Sequence, residues 1–295
     1  MFVMLKANLA AKAVVIAVAP VALAMGGHRL VGEPQPDPVP VVRVEAGEFA
    51  YRVAGDFNRA GRPVNAPVRA WRFSAPIEIM KSQVSAAEYD RCVAEGACER
   101  RLGRDIGRPD VPAVGVSWQD ASAYAAWFSR RTGQTWRLPT DSEWAYVAGS
   151  RFKDDAVEGD DGTDAFTKRW LAKYEQESAR AGAVDKAPRP IGAFGENERG
   201  VADLSGNVWE WTNTCFLRQG LDAAGEPTGA RTVNCGVRVV EGEHRAYVTD
   251  FIRDAKGGGC AVGVPPANLG FRLVREHAGP VDALVARVKT ALRRA

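Results

Sequence analysis

The chain has 295 residues, of which 46% are hydrophobic and 25% are charged, and this balance excludes a disordered chain or a membrane-embedded bundle. Its formal net charge of +3 is too small for a nucleic-acid-binding surface, and no basic stripe is interleaved with aromatic residues. The 30 glycines, 17 prolines and 8 tryptophans predict short elements joined by many turns, which indicates an irregular α+β fold.

The N-terminal residues have the features of an export signal. Two lysines precede an apolar run at 13–25 that contains the small-x-small motif ALA at 22–24. Because this run is shorter than the roughly 20 residues that span a bilayer, we predict a cleaved signal peptide at 1–24, with an uncleaved anchor as the alternative. A proline-rich linker follows at 25–40. The expected location is the periplasm or another exported position, with membrane contact only through an uncleaved anchor.

The body of the chain, residues 41–276, is predicted to form one domain. Apolar and polar residues alternate at 41–57, which predicts a strand or a hairpin. Three capping boxes, each a Ser or Thr followed three residues later by an acidic residue, predict three helices. Those helices are expected at 85–94, at 117–132 with Gly133 as the stop, and from Thr140 through Tyr146, after an extended piece at 136–140.

Two further segments are charged or amphipathic. Residues 152–190 are rich in Asp and Glu and predict a surface insertion with a helix at 165–181, since their spacing does not match a calcium-binding helix-loop-helix. Apolar residues at helical spacing predict a C-terminal amphipathic helix within 277–295. We expect this helix to pack on its own domain, with docking to a membrane surface or a partner as the alternative.

The five cysteines allow disulfides in an exported protein. Gly96 can end the helix at 85–94 and turn Cys98 back towards Cys92, so this pair is the preferred bridge. The sequence does not decide the pairing of Cys215, Cys235 and Cys260, although the loop between Cys215 and Cys235 is a natural one to close.

Four sequence stretches follow one another along the chain: PAVGVSW at 112–118, RLPTDSEW at 137–144, GNVWEWT at 206–212 and NLGFR at 268–272. Together, in this order, they resemble the formylglycine-generating enzyme (sulfatase-modifying factor) family. The resemblance covers 41–276 and implies a compact, loop-rich α+β domain similar to the C-type lectin arrangement, with little regular secondary structure. Large aromatic residues in these stretches are expected to be buried, and Arg137 and Arg272 are expected to pair with carboxylates such as Glu143 or Glu210.

One of these stretches predicts a calcium site. Asp203 and Glu210 flank a loop with free carbonyl groups, and calcium prefers several oxygen ligands. The resemblance implies a structural calcium held by the Asp203 and Glu210 side chains and the carbonyls of Leu204, Gly206 and Val208. The alternative is a simple turn with a buried ion pair.

The family's active-site cysteine pair is missing from this chain. The stretch that begins with HRAY at 244–247 resembles the family's site, but Val248 stands where the first cysteine is expected. Ile252 or Arg253 stands where the second is expected. Copper(I) favours soft sulfur ligands, so neither bound copper nor formylglycine generation by the family mechanism is expected.

Cys260 is the one cysteine that could substitute for this pair. It follows three glycines, and Arg245, Arg253 or Lys256 could lower the pKa of its thiol. The alternative is a structural disulfide with Cys215 or Cys235.

Three functions follow from the resemblance. The first is an exported accessory or maturation factor that binds a periplasmic protein or peptide, similar to the accessory proteins of copper nitrite reductase clusters. The second is a periplasmic oxidoreductase that uses non-cysteine residues, resembling exported members in pyoverdine maturation. Its candidate residues are Trp209, Tyr247, Asp250 and Arg253. The third is an active formylglycine-generating oxidase that uses Cys260.

Overall fold

The computed structural model of the chain describes residues 39–102, 108–156, 187–254 and 268–276, together with Lys168, Leu171 and Glu175. The predicted signal peptide at 1–24, residues 25–38 of the linker, Cys260 and the C-terminal helix at 277–295 lie outside the described residues. All residues of the predicted helix at 165–181 except Lys168, Leu171 and Glu175 also lie outside the described residues. None of the helices that the structure describes has the length and apolar character needed to cross a membrane.

The described residues form the expected α+β domain, in which short strands outnumber helices. The strands are β1 (Val41–Val44), β2 (Gly47–Arg52), β3 (Asp56–Arg59), β4 (Arg62–Val64), β5 (Val68–Phe73), β6 (Ile77–Met80), β7 (Trp136–Arg137), β8 (Trp209–Leu221), β9 (Pro227–Glu241), β10 (Arg245–Thr249), β11 (Leu269–Gly270) and β12 (Val274–Arg275). The helices are α1 (Ala86–Ala94), α2 (Trp118–Thr132) and α3 (Asp141–Ala148), with a short 3₁₀ turn at Gly149–Arg151.

These strands form three sheets. One has the order β1-β6-β12-β7, a second has the order β10-β9-β8-β3-β4 with β11 beside β8, and β2 pairs with β5 alone. The stretch at 41–57 is extended, as predicted, but the hairpin alternative is wrong. It forms three strands that pair with β6, with β5, and with β4 and β8. Alternating apolar and polar residues indicate a strand with one buried face, but they do not identify the strand with which it pairs.

The three predicted helices form, and their capping boxes explain where they begin. The side chains of Ser85, Ser117 and Thr140 each accept a hydrogen bond from the backbone N–H three residues on. The acidic side chain at that position accepts one from the backbone N–H of the capping residue. Such a cap contributes about 1 kcal/mol. Helix α2 ends at Gly133, which takes the left-handed conformation that glycine allows, while α3 continues two residues beyond the predicted Tyr146.

Aromatic side chains fill the core between the helices and the sheets. The largest cluster surrounds α2, where the rings of Tyr124 and Phe271 lie 5.3 Å apart and Trp211 is fully buried. A second cluster includes Ile79, Trp144 and Leu204. Trp144, Trp209, Trp211 and Phe271 of the family stretches are therefore buried, as predicted, while Trp118 is half-buried.

Two disulfides are present among the described cysteines. Cys92 pairs with Cys98, and Gly96 between them has a φ of +70° that turns the chain back. Cys215 pairs with Cys235 and joins β8 to β9. The alternative in which Cys260 pairs with either of these cysteines is therefore wrong, because both already have a partner.

Candidate functional site

The two ends of the predicted calcium loop are buried, and its first carboxylate accepts hydrogen bonds from the backbone. Asp203 is fully buried and takes a φ of 58°. Its Oδ2 accepts a hydrogen bond from the Gly192 N–H at 2.6 Å, and its Oδ1 accepts one from the Phe194 N–H at 2.8 Å. Asp203 therefore holds the preceding turn in place.

The second carboxylate of this loop, Glu210, forms an ion pair. Arg272 donates to both Glu210 oxygens, from Nε at 2.6 Å and from Nη2 at 2.7 Å. Trp144 Nε1 and Gln83 Nε2 also donate to Glu210, at 2.9 and 2.8 Å. The other Arg272 donors form hydrogen bonds with the carbonyls of Met80, Lys81 and Ala202. We call these residues the Arg272 network.

The carboxylate oxygens that are predicted to bind calcium already have hydrogen-bond partners. All four carboxylate oxygens of Asp203 and Glu210 already accept hydrogen bonds, and Arg272 supplies the positive charge. The Leu204 carbonyl accepts from Arg151 at 3.4 Å. The loop therefore has the form of a turn with a buried ion pair, and calcium bound through Leu204, Gly206 and Val208 stays a prediction that these contacts do not favour.

A second buried charged group was not anticipated from the sequence. Arg245 is fully buried and contacts three carboxylates: Asp141 at 3.1 Å, Glu241 at 3.1 Å and Asp155 at 3.3 Å. The Tyr51 hydroxyl donates to Asp141, and the Tyr247 hydroxyl donates to Asp155 at 2.6 Å. We call these six residues the Arg245 cluster. It joins β2, α3, β9, β10 and the segment that follows Phe152.

Burial and excess negative charge set the protonation states in the Arg245 cluster. Burial raises the pKa of Glu241 well above its usual value, and the nearby Asp141 raises it further. Burial alone would lower the pKa of Arg245, but Asp141, Glu241 and Asp155 raise it well above its usual value. Oε2 of Glu241 is buried and has no hydrogen-bond partner among the residues that the structure describes. Glu241 is thus the carboxyl best placed to carry a proton.

The candidate catalytic residues are not brought together. Tyr247 belongs to the Arg245 cluster, where burial and then Asp155 raise the pKa of its phenol well above the usual range. Trp209 lies elsewhere, with Nε1 donating to the His244 carbonyl at 3.2 Å. Within the described ranges, no hydrogen bond, ion pair or ring contact joins any two of Trp209, Tyr247, Asp250 and Arg253. Cys260 is outside those ranges.

Asp250 and Arg253 lie near the start of α2. The Asp250 carbonyl accepts a hydrogen bond from the Trp118 N–H at 3.0 Å, and Arg253 forms two hydrogen bonds of 2.6 Å with Asp120. Arg238 stacks on the Trp118 ring, with its guanidinium carbon 3.7 Å from the ring centroid. These contacts fix the turn after β10 against α2, and they already engage the Arg253 side chain.

The positions expected for the cysteine pair have no ligand for copper. Val248 is fully buried in the largest core cluster, and Ile252 packs against the same cluster. Arg253 is held by Asp120. In the described part of the chain, no three or more His, Cys, Asp or Glu side chains are arranged to hold a metal ion.

Comparisons with known proteins agree with the resemblance. The family model described as "Sulfatase-modifying factor enzyme 1-like domain" matches residues 29–277. The chain is 30% identical over 203 residues to the formylglycine-generating enzyme of Mycobacterium tuberculosis, covering 61% of this chain and 64% of that protein. It is 36% identical over 178 residues to the inactive C-alpha-formylglycine-generating enzyme 2 of Mus musculus, covering 59% of this chain and 52% of that protein. The matched region spans about half to two thirds of these relatives.

A solved structure shows the same fold. PvdO from Pseudomonas aeruginosa superimposes with a TM-score of 0.51 at 25% identity, covering 80% of this chain and 94% of that one. The fold is therefore similar over nearly the whole of the PvdO chain.

Proposed function

Because the chain belongs to the sulfatase-modifying factor (FGE-sulfatase) family, we propose that it is an exported accessory or maturation factor that binds a periplasmic protein and does not generate formylglycine. One observation carries this proposal. Val248, fully buried in the core, stands where the first active-site cysteine is expected. A core aliphatic side chain can neither bind copper(I) nor exchange electrons with a substrate thiol.

Two further findings support the proposal. The chain is similar to the mouse protein named an inactive formylglycine-generating enzyme as well as to the bacterial enzyme. The two disulfides are typical of proteins that fold in an oxidising compartment, which agrees with the export signal predicted at 1–24. An exported protein of this kind meets its partner outside the cytoplasm, and a copper nitrite reductase is the first partner to test.

The absence of formylglycine chemistry can be tested directly. The purified protein is incubated with copper(I), oxygen and a sulfatase-type cysteine peptide, and mass spectrometry follows conversion of the thiol to an aldehyde. We expect no conversion, while the Mycobacterium tuberculosis enzyme run in parallel converts the peptide. Conversion by this protein above a copper-only control would overturn the proposal.

The accessory role requires a separate measurement. Titration calorimetry of the mature protein with copper-free and copper-loaded nitrite reductase should detect a complex, and cell fractionation should find the protein in the periplasm. Failure to bind either form would reject this partner. Recovery of the protein from the cytoplasm alone would reject export.

A further inference from the structure

The two disulfides differ in how easily another molecule can reach them. Cys92 lies fully buried in α1, and Cys98 packs against the same core cluster. The second bridge joins the half-buried Cys215 on β8 to Cys235, which is exposed on β9. The Cys235 end of the second bridge is therefore the end more open to solvent, whereas the first bridge is shielded on one side by the core.

A buried cation lies beside the less exposed sulfur of this second bridge. Arg238 is only 9% exposed, and its Nη1 donates to the Cys215 sulfur at 3.2 Å and to the Asn213 carbonyl at 3.1 Å. The face of the Trp118 ring covers the guanidinium. The opposite end of the bridge has no comparable contact with a cation among the described residues.

Arg238 has no anionic partner at close range. Within the described residues, no carboxylate lies within ion-pair distance of its guanidinium, and its buried Nε has no acceptor. Burial lowers the pKa of Arg238, and Asp250 opposes this only through a longer-range attraction. A buried charge without a partner is costly, so an anion formed next to this guanidinium would be stabilised. Reduction of the bridge creates such an anion at Cys215.

We propose that the Cys215–Cys235 disulfide is a thiol-exchange site that reacts with an external thiol. The thiolate attacks the exposed Cys235 sulfur and forms a new sulfur–sulfur bond with it. The Cys215–Cys235 bond breaks, and its electron pair leaves on Cys215 as a thiolate that Arg238 stabilises. A second external thiolate then attacks the mixed disulfide, so that two thiols are oxidised to one disulfide while the protein bridge is reduced to two thiols.

The direction of the attack follows from leaving-group chemistry. In thiol–disulfide exchange, the sulfur whose thiol has the lower pKa leaves faster, and a neighbouring cation lowers that pKa. Arg238 contacts Cys215, so Cys215 is the leaving group and Cys235 carries the mixed disulfide. The substrate class is a small thiol or a cysteine-containing peptide.

The test is a reduction time course of the full chain with glutathione. Samples are quenched with acid, free thiols are alkylated, and peptide mass spectrometry assigns each cysteine. We expect Cys215 and Cys235 to become reducible at least about tenfold faster than Cys92 and Cys98, with glutathione trapped on Cys235. Equal rates for the two bridges, or glutathione found on Cys215, would overturn the proposal.

The role of Arg238 is tested with a matched pair of variants. Arg238→Gln should slow reduction of this bridge about threefold to tenfold, because the leaving thiolate loses its cation. Arg218→Gln removes the same charge from an exposed position on β8, the strand that carries Cys215, and should leave the rate unchanged. Arg238→Lys keeps the positive charge and serves as the test variant if Arg238→Gln does not fold. Its reduction rate should stay within about twofold of that of the parent. An Arg238→Gln rate equal to that of Arg218→Gln in folded protein would show that Arg238 takes no part.

Discussion

The Arg272 network and the Arg245 cluster both bury an arginine completely, but they balance its charge differently. Arg272 faces one carboxylate, and its other donors go to carbonyl groups. Arg245 faces three carboxylates, and one of them has an oxygen without a hydrogen-bond partner among the described residues. The charges of Arg272 and Glu210 cancel, whereas the Arg245 cluster has an excess of negative charge that favours a proton on Glu241. Buried arginines in the same domain can therefore respond differently to pH.

The same substitution in the two groups should give the largest contrast. Glu210→Gln leaves Arg272 buried without its carboxylate, and breaking such a pair costs about 3–5 kcal/mol of the free energy of unfolding. Glu241→Gln resembles the protonated acid and should cost less than about 1 kcal/mol at pH 5. Urea unfolding at pH 5 measures both, with the exposed Glu45→Gln as control. Similar losses in both variants would contradict the contrast.

Removing a hydroxyl from the Arg245 cluster should have an intermediate effect. Tyr247→Phe deprives Asp155 of a donor and the Gly55 N–H of an acceptor, so we expect a loss of about 1–3 kcal/mol. Tyr89→Phe is the comparison, because among the described residues the Tyr89 hydroxyl has one hydrogen bond, which it donates to the Glu99 carbonyl. Thermal unfolding of the two variants should rank Tyr247→Phe as the less stable, and the reverse order would reject the assigned contacts.

The proton on Glu241 predicts a pH-dependent difference. The pKa of Glu241 in the folded protein lies above its unfolded value of 4.5. The contribution of protonated Glu241 to the stability of the folded protein is therefore fully present below pH 4.5, and it is lost as the pH rises through the folded-state pKa. The side chain of Glu241→Gln cannot lose a proton. As the pH rises across that window, the free energy of unfolding of this variant should therefore increase relative to that of the parent by up to about 1.4 kcal/mol per pH unit. Melting curves from pH 4 to pH 8 test this, with the exposed Glu243→Gln as control. If the melting temperatures of the parent and of Glu241→Gln change with pH in the same way, the pKa of Glu241 is not raised in the folded protein.

The smallest effect should be that of calcium. Arg272 and backbone N–H groups already engage Asp203 and Glu210, so adding calcium to chelator-treated protein should leave the melting temperature unchanged. Magnesium at equal ionic strength controls for non-specific salt effects. A calcium-specific rise in melting temperature that Asp203→Asn abolishes would restore the predicted site.

Local interactions account for the parts of the structure that could be predicted. The helix starts depend on contacts three residues apart, and the Cys92–Cys98 bridge closes six residues around one glycine turn. Arg137 and Glu143, six residues apart, form the expected ion pair with two hydrogen bonds of 2.7 Å. Each of these contacts is decided by a few neighbouring residues, so a sequence pattern can report it.

Contacts between distant segments could not be predicted in this way. The Arg245 cluster joins residues from Tyr51 to Tyr247, and no spacing in the sequence marks them as neighbours. One signal was available: Glu241 and Arg245 are charged residues next to the apolar runs of β9 and β10, and charges buried there need partners. The calcium prediction considered Asp203 and Glu210 but not Gly192 and Phe194, which donate to Asp203 from outside the loop.

Asp155 has a consequence for rearranging this fold. The acidic stretch at 152–190 is the natural place to graft a foreign sequence, yet Asp154 and Asp155 at its start are half-buried and form ion pairs with the rest of the domain. Asp154 binds Arg52, while Asp155 binds Arg245 and Tyr247. A chimera that exchanges this stretch should therefore be joined after residue 156. A junction placed earlier would also remove Asp154 and Asp155, and with them the ion pairs to Arg52 and Arg245.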